Sequence, residues 1–436
     1  MKTILYVLSE FPVASETFVT TEIKAIERQG HRVVPVCLIR RDEPCQAGDE
    51  GLAECFLSLA DVSVITLLNC LILWVFDVVV ALLKGDEYLS SLLSAWRFAQ
   101  QQEGVRTRSV LLNGFKLMCL LKRHQGQHIH CHFAWSPAVM GITAARLSGV
   151  SVSFTSHGSD VYKTPQNLQS KLQNADFVVA VCKRMHDEFQ AISPETPVVH
   201  IPCGVDTQTF YPRYSCSDKQ GSPKEKKNQK TNNQEKNNKL LFLGRLSETK
   251  GLPDLIQAMT QLPATTHIDI AGAGPMQQQL TEQVEQLGLQ QQVHFLGAVS
   301  RQWVSEHISA YQALVLPFCK TSEGIMDTGP LVLKEAMASK IPIVTTDLMA
   351  TGEILDEYSG WIAKHNDPHS LACTLQQLLD DLADPDKGQQ RIHLKTGLAY
   401  HQVKTRFSAD VCAAQLSRQF QAVGAAKWVE EVRHEN

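Results

Sequence analysis

The stretch KLLFLGRLSETKG, residues 239–251, shows the pattern that decides the fold. Its apolar run, LLFL, is typical of a strand buried inside a sheet, and a loop bounded by Gly244 and Gly251 follows directly. Similar apolar runs recur along the second half of the chain, separated by stretches with helical character: THIDIAG (266–272), VHFLG (293–297), ALVLP (313–317) and IPIVTT (341–346). Strands that alternate with helices predict a parallel sheet covered by helices.

The first half of the chain repeats this pattern. Its apolar runs are ILYVL (4–8), RVVPVCLI (32–39), HIHCHF (128–133), SVSFTS (151–156), FVVAVC (177–182) and VVHIP (198–202). Helices are predicted between them over residues 15–29 and 137–147. Gly30 and Gly149 follow these two stretches, where a left-handed helix stop is easiest. The first half therefore predicts a second unit of the same α/β class.

A polar segment from 213 to 239 separates the two patterns, and its Lys, Asn and Gln residues offer almost nothing to a core. We interpret it as a flexible linker. We therefore expect two Rossmann-like domains, residues 1–212 and 240–400, and a carboxyl-terminal helix over 401–436 that returns to the first domain. Ligands of parallel sheets bind beyond the carboxyl ends of the strands, so we expect the sheets to face a central cleft.

Composition excludes several classes of protein. A net charge of −4 over 436 residues argues against a nucleic-acid binder, which would need to neutralise many phosphates. The twelve cysteines are scattered singly, without the spacing of a zinc site, which favours reduced core thiols. The amino terminus has no long apolar segment followed by a cleavage site, so we expect a cytoplasmic protein whose first strand begins there.

The apolar stretch from Val62 to Leu83 approaches the length of a membrane span, but Asn69 and Asp77 interrupt it. We predict a core or interfacial helix rather than a transmembrane one. Lys and Arg outnumber Asp and Glu over residues 84–146, which suits either a surface facing anionic lipid or an ordinary solvated helical face, and the region 62–123 is the candidate for such a surface. The composition leaves both interpretations open.

The segment EGIMDTGPLVLKEAMASKIP, residues 323–342, carries the strongest signal for a ligand site. Pro330 favours the first turn of a helix, and Gly329 before it lets a ligand approach the backbone. The amides of Leu331 and Val332 would then point outward from the helix start. Such a start favours binding of a diphosphate.

Two carboxylates flank this predicted helix start. Glu335 lies further along the helix, where it can accept hydrogen bonds from the vicinal hydroxyls of a ribose. Asp327 lies just outside the start, in a position suited to hydroxyls of a sugar. The segment therefore predicts a site for a nucleotide diphosphate that carries a sugar.

Two cations, Arg245 and Lys250, lie in the loop after the first strand of the second half, next to Gly244. An Arg fork and a Lys charge in one loop would neutralise a leaving diphosphate without a metal ion. Gly272 and Gly274 in AGAGP offer a close backbone approach for a nucleotide base or ribose. A tight strand-to-helix turn explains these glycines equally well.

Histidines mark the carboxyl ends of two predicted strands in the first half. His157 follows the strand 151–156 and would face the cleft, although a lone histidine is more often a structural group. His130 and His132 alternate along another strand. Because no third ligand has suitable spacing, we interpret this pair as structural or as lining the cleft, and we predict no metal site.

The loop SEFPVASETF, residues 9–18, connects the first strand to the first helix. Ser15 is suited to the N-cap position, with Glu16 and Thr17 on the exposed first turn. The loop lies at the same edge of the sheet as the other predicted site residues.

The order of these motifs resembles family 4 of the retaining GT-B glycosyltransferases. In the second half the resemblance rests on GRLSETKG, AGAGP, VHFLG and the Pro330 helix with EAMA (335–338). In the first half it rests on residues 9–33, on HCHFAWSPAVMGITAARLSGV (130–150), on FTSHGSDVY (154–162) and on HIPCGVDTQTFYP (200–212). It covers nearly the whole chain except the linker and the region 62–123.

The resemblance implies roles for the residues of the second half. Arg245 and Lys250 match the pair that binds the donor diphosphate, and Glu335 matches the acidic residue that holds the ribose. The acidic residue that contacts the transferred sugar is either Asp327 or Glu323. Glu323 precedes a glycine as in the family but lies four residues too early. We favour Asp327, because the register to the helix start determines which side chain faces the sugar.

The resemblance also implies roles in the first half. His157 matches a histidine beside the transferred sugar, and Asp160 either orients the loop or contacts the acceptor. The loop with Ser15, Glu16 and Thr17 borders the acceptor and the donor phosphates in related enzymes, although a capping role explains Ser15 equally well.

The activity implied is retaining, metal-independent and cofactor-free transfer of a sugar from a nucleotide diphosphate to a carbohydrate or lipid-linked acceptor, as in bacterial exopolysaccharide synthesis. The departing phosphate oxygen helps to take the acceptor proton. The alternatives are a nucleotide-sugar epimerase or phosphorylase of the same fold and a catalytically silent sugar-nucleotide binding module. Asp327 in place of the family's usual glutamate motivates the silent module.

Overall fold

The computed structural model describes residues 1–13, 16–43, 45–46, 48–84, 88–163, 165–213 and 237–434. The chain divides into two compact units, Met1–Gly204 with Ala409–Asn436, and Val205–Ser408. We predicted the first division at residue 212, eight residues later than observed. The N–H of Val205 donates to the carbonyl of Phe407 (2.9 Å), which ties the residues after Gly204 to the second unit. Most of the predicted linker, 214–236, lies outside the described residues, and the strand that follows begins at Asn237.

The first unit is built on a parallel sheet with strand order β3-β2-β1-β4-β5-β6-β7. Its strands are β1 (Thr3–Phe11), β2 (Arg32–Arg40), β3 (Leu57–Ser58), β4 (His128–His132), β5 (Ser151–Ser156), β6 (Phe177–Ala180) and β7 (Val198–His200). Its helices before the second unit are α1 (Thr17–Arg28), α2 (Glu50–Cys55), α3 (Val64–Lys84), α4 (Tyr88–Gln100), α5 (Thr107–His124), α6 (Ser136–Ser148), α7 (Leu168–Gln173) and α8 (Lys183–Ile192).

The second unit repeats the architecture with strand order β10-β9-β8-β11-β12-β13, again parallel. Its strands are β8 (Asn237–Leu243), β9 (His267–Ala271), β10 (Val293–Gly297), β11 (Tyr311–Leu316), β12 (Ile343–Thr346) and β13 (Trp361–Ala363). Its helices are α9 (Leu252–Met259), α10 (Gln277–Gln286), α11 (Arg301–His307), α12 (Leu331–Ala338), α13 (Met349–Gly352), α14 (Pro368–Ala383) and α15 (Lys387–Gln402).

The last helix, α16 (Ala409–His434), belongs to the first unit. We predicted a returning helix from residue 401, but α15 runs to Gln402 and a π-helical turn over Val403–Phe407 precedes α16. The apolar residues of α16 follow helical spacing and pack beside α1: Ala409, Cys412, Ala413, Leu416 and Phe420.

Strand β1 is buried on both faces of the first sheet, as expected for a parallel sheet covered by helices. Because successive side chains point to opposite faces, Leu5 and Val7 enter the core under α5 and α6. Ile4 and Tyr6 enter a second core under α1 and α16. The last helix is therefore part of one of the two apolar layers of this unit.

The parallel α/β prediction is confirmed, and each of the eleven strands expected from the sequence forms. The sequence did not predict β3 or β13. Both are short edge strands, of two and three residues, that lack a sustained apolar run. Helix α1 begins at Thr17, two residues later than predicted, while α6 matches its prediction within one residue at each end.

Helix α3 covers the apolar stretch that we predicted to be a core or interfacial helix. Leu67, Cys70 and Trp74 pack against neighbouring helices, whereas most of its other described apolar side chains are exposed. Across the ranges that the structure describes, no helix combines the length and hydropathy needed to span a bilayer.

Substitution of Phe420 by Ala should destabilise the first unit by about 3 to 5 kcal/mol, because it leaves a cavity in a closed layer. The Phe420 ring is fully buried and lies 5.0 Å from the ring of His128 and 6.5 Å from that of Tyr6. Urea unfolding followed by tryptophan fluorescence measures the change. Arg418→Ala, at an exposed position of the same helix, is the control. Equal stability of the two variants would show that α16 is not part of the core.

Candidate active site

In the second unit, the structure brings two of the predicted site residues into contact. The ammonium nitrogen of Lys250 lies 3.2 Å from a carboxylate oxygen of Asp327. The same nitrogen lies 4.8 Å from the centre of the Phe318 ring, a distance at which a cation is attracted to the ring face. Arg245, earlier in the same loop, is exposed. The loop after β8 and the segment before α12 therefore meet at one place.

Close backbone packing holds the Lys250 loop against the end of β11. Gly251 has φ of 64°, and a Cβ atom there would lie 1.8 Å from the carbonyl oxygen of Pro317. The N–H of Cys319 donates to the carbonyl of Thr249 (3.0 Å). Only glycine fits at position 251, so the local fold fixes the backbone position from which the Lys250 side chain extends.

The glycines of AGAGP pack against the neighbouring loop. A Cβ atom on Gly272 would lie 1.8 Å from the carbonyl oxygen of Gly244, and one on Gly274 would lie 2.3 Å from that of Leu246. The N–H of Leu246 donates to the carbonyl of Ala273 (3.0 Å). Close packing of the two loops explains these glycines without a ligand. Their role in donor binding stays a prediction.

Helix α12 begins at Leu331, and Pro330 occupies the N-cap position rather than the first helical turn that we predicted. Gly329 precedes it with φ of 159°. The first N–H groups of a helix have no intrahelical acceptor, so those of Leu331 and Val332 remain suited to an anion. The one-residue shift keeps the predicted site at the helix start.

Glu335 lies in the middle of α12, and its side chain is buried. Burial raises the pKa of this carboxyl to about 7, and the positive charge of Arg301 opposes the shift only in part. A carboxyl with this pKa is partly protonated at neutral pH. Hydroxyl donors would stabilise its ionised form, which agrees with the predicted contact to a ribose.

Asp327 and Glu323 differ in their surroundings. Glu323 is exposed within a turn in which the N–H of Gly324 donates to the carbonyl of Thr321 (2.9 Å). Asp327 is three-quarters buried and contacts Lys250. The geometry therefore favours Asp327 as the carboxylate beside the predicted diphosphate, and its contact with a sugar stays a prediction.

In the first unit, Asp160 orients the loop after β5. Its carboxylate accepts hydrogen bonds from three backbone N–H groups, those of Ala134 (2.7 Å), His157 (3.0 Å) and Gly158 (2.9 Å). Burial raises the pKa of the Asp160 carboxyl, although these donors oppose the shift. Of the two roles that the sequence left open, loop orientation accounts for the Asp160 carboxylate, and acceptor contact stays a prediction.

His157 follows β5, at the carboxyl end of the sheet. Its Nε2 lies 3.0 Å from Nδ1 of His132, and its Nδ1 lies 3.6 Å from the sulfur of Cys203. Burial lowers the pKa of His157 well below its ordinary value, and the neighbouring His132 lowers it further. The ring is therefore a neutral imidazole at physiological pH.

Glu22 on α1 completes a group that the sequence analysis did not find. One carboxylate oxygen of Glu22 lies 3.3 Å from Nε2 of His132 and 3.7 Å from Nε2 of His130. The three side chains are close enough to hold a metal ion. However, the ring nitrogens of His130 lie 2.8 Å from Ser153 Oγ and 3.1 Å from Thr155 Oγ1. We therefore interpret the group as a hydrogen-bonded network, and the absence of a metal requirement stays a prediction.

The loop before α1 is described only in part, because Ser15 lies outside the described residues. Glu16, not Ser15, occupies the N-cap position of α1, and its N–H donates to the carbonyl of Val13 (3.0 Å). Burial raises the pKa of Glu16 to about 7. Glu16 and Thr17 are both half-buried rather than exposed as predicted, because the loop packs onto the domain.

The raised pKa of Glu335 predicts a pH-dependent stability. An unfolded glutamate loses its proton near pH 4.5, whereas the folded protein keeps it up to about pH 7. The stabilisation is therefore fully present below pH 4.5 and is lost as the pH rises through 7, by about 3 kcal/mol.

Urea unfolding of the wild type and of Glu335→Gln between pH 4.5 and 8 isolates this contribution. The difference in stability between the two proteins should change in favour of the variant as the pH rises. The exposed Glu323→Gln provides the control and should parallel the wild type. A constant difference across the range would contradict the assignment.

Two family models match consecutive parts of this chain. The model described as Glycosyltransferase Family 4 matches residues 15–209, within the first half. The model described as Glycosyl transferases group 1 matches residues 223–392. Together they cover most of the chain, including the described candidate site residues of both units.

Relatives and solved structures agree with these matches. WcaL of Escherichia coli, a glycosyltransferase named for colanic acid biosynthesis, is 26% identical over 53% of this chain and 57% of its own length. The match thus spans little more than half of that relative. A glycosyltransferase of Rickettsia africae has a TM-score of 0.69 at 15% identity, covering 97% of this chain and 98% of its own. Anabaena HepE, solved with UDP, has a TM-score of 0.65 at 16% identity, covering 97% and 100%.

The solved structures confirm the GT-B fold that the motif order implied. The family models match the halves of the chain in the order of the motifs, the first half to family 4 and the second to group 1. The chain therefore belongs to the family 4 glycosyltransferases of GT-B fold.

Proposed function

We propose that this protein transfers a sugar, with retention of configuration and without a metal ion, from a nucleotide diphosphate to a carbohydrate or lipid-linked oligosaccharide acceptor in polysaccharide biosynthesis. The contact between Lys250 and Asp327 carries the proposal. It joins a cation suited to the diphosphate and a carboxylate suited to sugar hydroxyls at one place in the second unit.

The charges of this site suit a leaving diphosphate. Lys250 already neutralises Asp327, and a bound phosphate would share or replace that carboxylate as the partner of the ammonium group. The exposed Arg245 supplies a second cation, and the N–H groups at the start of α12 supply hydrogen-bond donors. Charge that develops on the phosphate oxygens would thus be stabilised by fixed groups of the protein.

The reaction is a single substitution at the anomeric carbon. The bond from this carbon to the phosphate oxygen breaks, and the bond to the acceptor oxygen forms on the same face of the sugar. The acceptor proton passes to the departing phosphate oxygen. The protein supplies no nucleophile in this scheme, and its side chains bind, orient and neutralise charge.

The relatives support the substrate classes. Anabaena HepE was solved with UDP, which supports a nucleoside diphosphate as the leaving group here. The E. coli relative is named for the biosynthesis of a polysaccharide, which supports a growing carbohydrate as the acceptor. We assign His157 to the side of the transferred sugar and the loop with Ser15, Glu16 and Thr17 to the acceptor.

Replacement of Lys250 or Arg245 by Ala should lower the rate of transfer by about 100- to 1000-fold, because each removes a group that stabilises the leaving charge. Transfer of labelled sugar from UDP-glucose and GDP-mannose into a bacterial lipid-linked oligosaccharide fraction measures the rate. The exposed Lys387→Ala is the matched control and should keep wild-type turnover. Near-normal turnover in both site variants, with unchanged thermal stability, would contradict the assignment.

We further propose that helix α3 and its neighbours contact the surface of an anionic membrane, where a lipid-linked acceptor would lie. Exposed apolar side chains cover the outer side of α3 and continue onto α4 and α5: Val64, Ile65, Leu68, Leu71, Ile72, Val75, Leu93, Trp96 and Leu112. Exposed arginines on α4 and at the start of α5 add positive charge: Arg97, Arg106 and Arg108. This combination is typical of interfacial helices.

Two charges in this apolar surface should weaken membrane binding. Sedimentation with vesicles of phosphatidylcholine and phosphatidylglycerol measures the binding. The double variant Leu68→Glu with Ile72→Glu should lower the bound fraction of protein by at least about tenfold, because each substitution removes apolar surface that would enter the bilayer. Leu394→Glu with Leu398→Glu, at exposed positions of α15, is the matched control. Equal binding by the two double variants, or no binding by the wild type, would contradict the proposal.

A further inference from the structure

Four side chains of the first unit form a continuous line of contacts from α1 to the loop after β7. Glu22 Oε1 lies 3.3 Å from His132 Nε2. His132 Nδ1 lies 3.0 Å from His157 Nε2, and His157 Nδ1 lies 3.6 Å from the sulfur of Cys203. Each imidazole therefore contacts a different partner with each of its two nitrogens.

The direction of the hydrogen bond between the two rings follows from the carboxylate that faces His132. Glu22 Oε1 faces Nε2 of His132 and can accept a hydrogen bond there, which favours a proton on this nitrogen. In the tautomer of His132 with its single proton on Nε2, Nδ1 is an acceptor. The contact of 3.0 Å between the rings requires a donor, and His157 must supply it from Nε2. The remaining nitrogen, Nδ1 of His157, is thus without a proton.

Because both rings are buried, their tautomers are determined by the few polar groups that they contact. His132 is fully buried, and its Nε2 has no hydrogen bond of good geometry within the described part of the chain, which leaves Glu22 as its nearest charged partner. Burial keeps His157 neutral, as its lowered pKa indicates. Tyr6 donates its hydroxyl proton to the same Oε1 of Glu22 (3.2 Å) and so orients the carboxylate toward the rings.

Among the described residues, His130 is the ring that could compete with His132 for Glu22. His130 is the other ring close to Glu22, but its own nitrogens lie within hydrogen-bond distance of Ser153 and Thr155 on β5. The electrostatic interaction of Glu16 with His132 adds a second acidic group near this ring.

We propose that Glu22 and His132 are positioning residues that fix His157 with its proton on Nε2, so that Nδ1 accepts a hydrogen bond from a substrate hydroxyl. The thiol of Cys203 is the resident partner of Nδ1. A thiol is a weak donor and a sugar hydroxyl is a stronger one, so the substrate displaces it at little cost. The last step rests on the proposed function, because it takes the hydroxyl from the transferred sugar or the acceptor.

Ring nitrogen shifts from NMR of protein labelled with ¹⁵N-histidine test the tautomer directly, with or without transfer activity. His157→Asn identifies the signals of His157. In the wild type, Nε2 of His157 should carry the proton. In Glu22→Leu, which removes the acceptor at similar size, the two tautomers should mix. Glu22→Gln keeps an acceptor oxygen and should restore part of the preference. Glu27→Leu, at an exposed position of α1, should resemble the wild type.

Kinetics test the consequence. In Glu22→Leu, kcat with the best donor should fall about tenfold, the effect of losing one hydrogen bond, while the Kd for UDP or GDP stays within about twofold. Glu22→Gln should be intermediate. A uniform loss of stability and nucleotide binding would instead indicate a structural role for Glu22 and would overturn the proposal.

The outcomes separate this inference from the proposed function. A proton on Nδ1 of His157 in the wild type, or an unchanged tautomer in Glu22→Leu, overturns the inference whether or not transfer occurs. The expected tautomers in a protein that transfers no sugar from any donor would overturn the proposed function and support the role of Glu22 and His132 in fixing the ring.

Discussion

Parallel hydrogen bonding between neighbouring strands is the constraint on which both groups of site residues depend. It puts the carboxyl ends of all strands at one edge of a sheet, so residues far apart in sequence meet there. In the second unit β8 and β11 are neighbours, and the segments that follow them bring Lys250 to Asp327. In the first unit β4 pairs with β5 so that His132 lies opposite Thr155, and His157 follows two residues later. The contact between the two rings is a consequence of this register.

Several polar groups of the two sites are buried. Asp160, Glu335 and His157 are all shifted by burial toward their neutral forms, and each has a distinct means of support. Three backbone N–H groups hold Asp160, Arg301 partly offsets the cost of Glu335, and a second imidazole contacts His157. The glycines at positions 251, 272 and 274 have a different role, because they allow the loops around Lys250 to pack closely.

The sequence predicted the strands and the helix start better than it predicted the side-chain partners. Apolar runs and glycines are local signals, so eleven of the thirteen described strands and the site at Pro330 followed from them. Glu22 was missed because it lies on a helix whose pattern is that of an ordinary amphipathic surface, and its partners on β4 are distant in sequence. The raised pKa of Glu335 also depends on tertiary burial, which local sequence does not encode. Position 16 was expected to be exposed, and only the packing of its loop shows otherwise. The domain boundary was placed too late because the link from Val205 to Phe407 joins residues on either side of a whole unit.

The return of α16 to the first unit has a consequence for synthesis on the ribosome. The second unit is one continuous stretch, so it has all of its residues as soon as position 408 has emerged. The first unit is synthesised earlier, but one of its two apolar layers is incomplete until α16 has been made. The face of its sheet that carries Ile4 and Tyr6 stays exposed until α16 is made, while about half of the chain is still being translated. The domain made first is therefore the one completed last, and during that interval it is the part most in need of a chaperone.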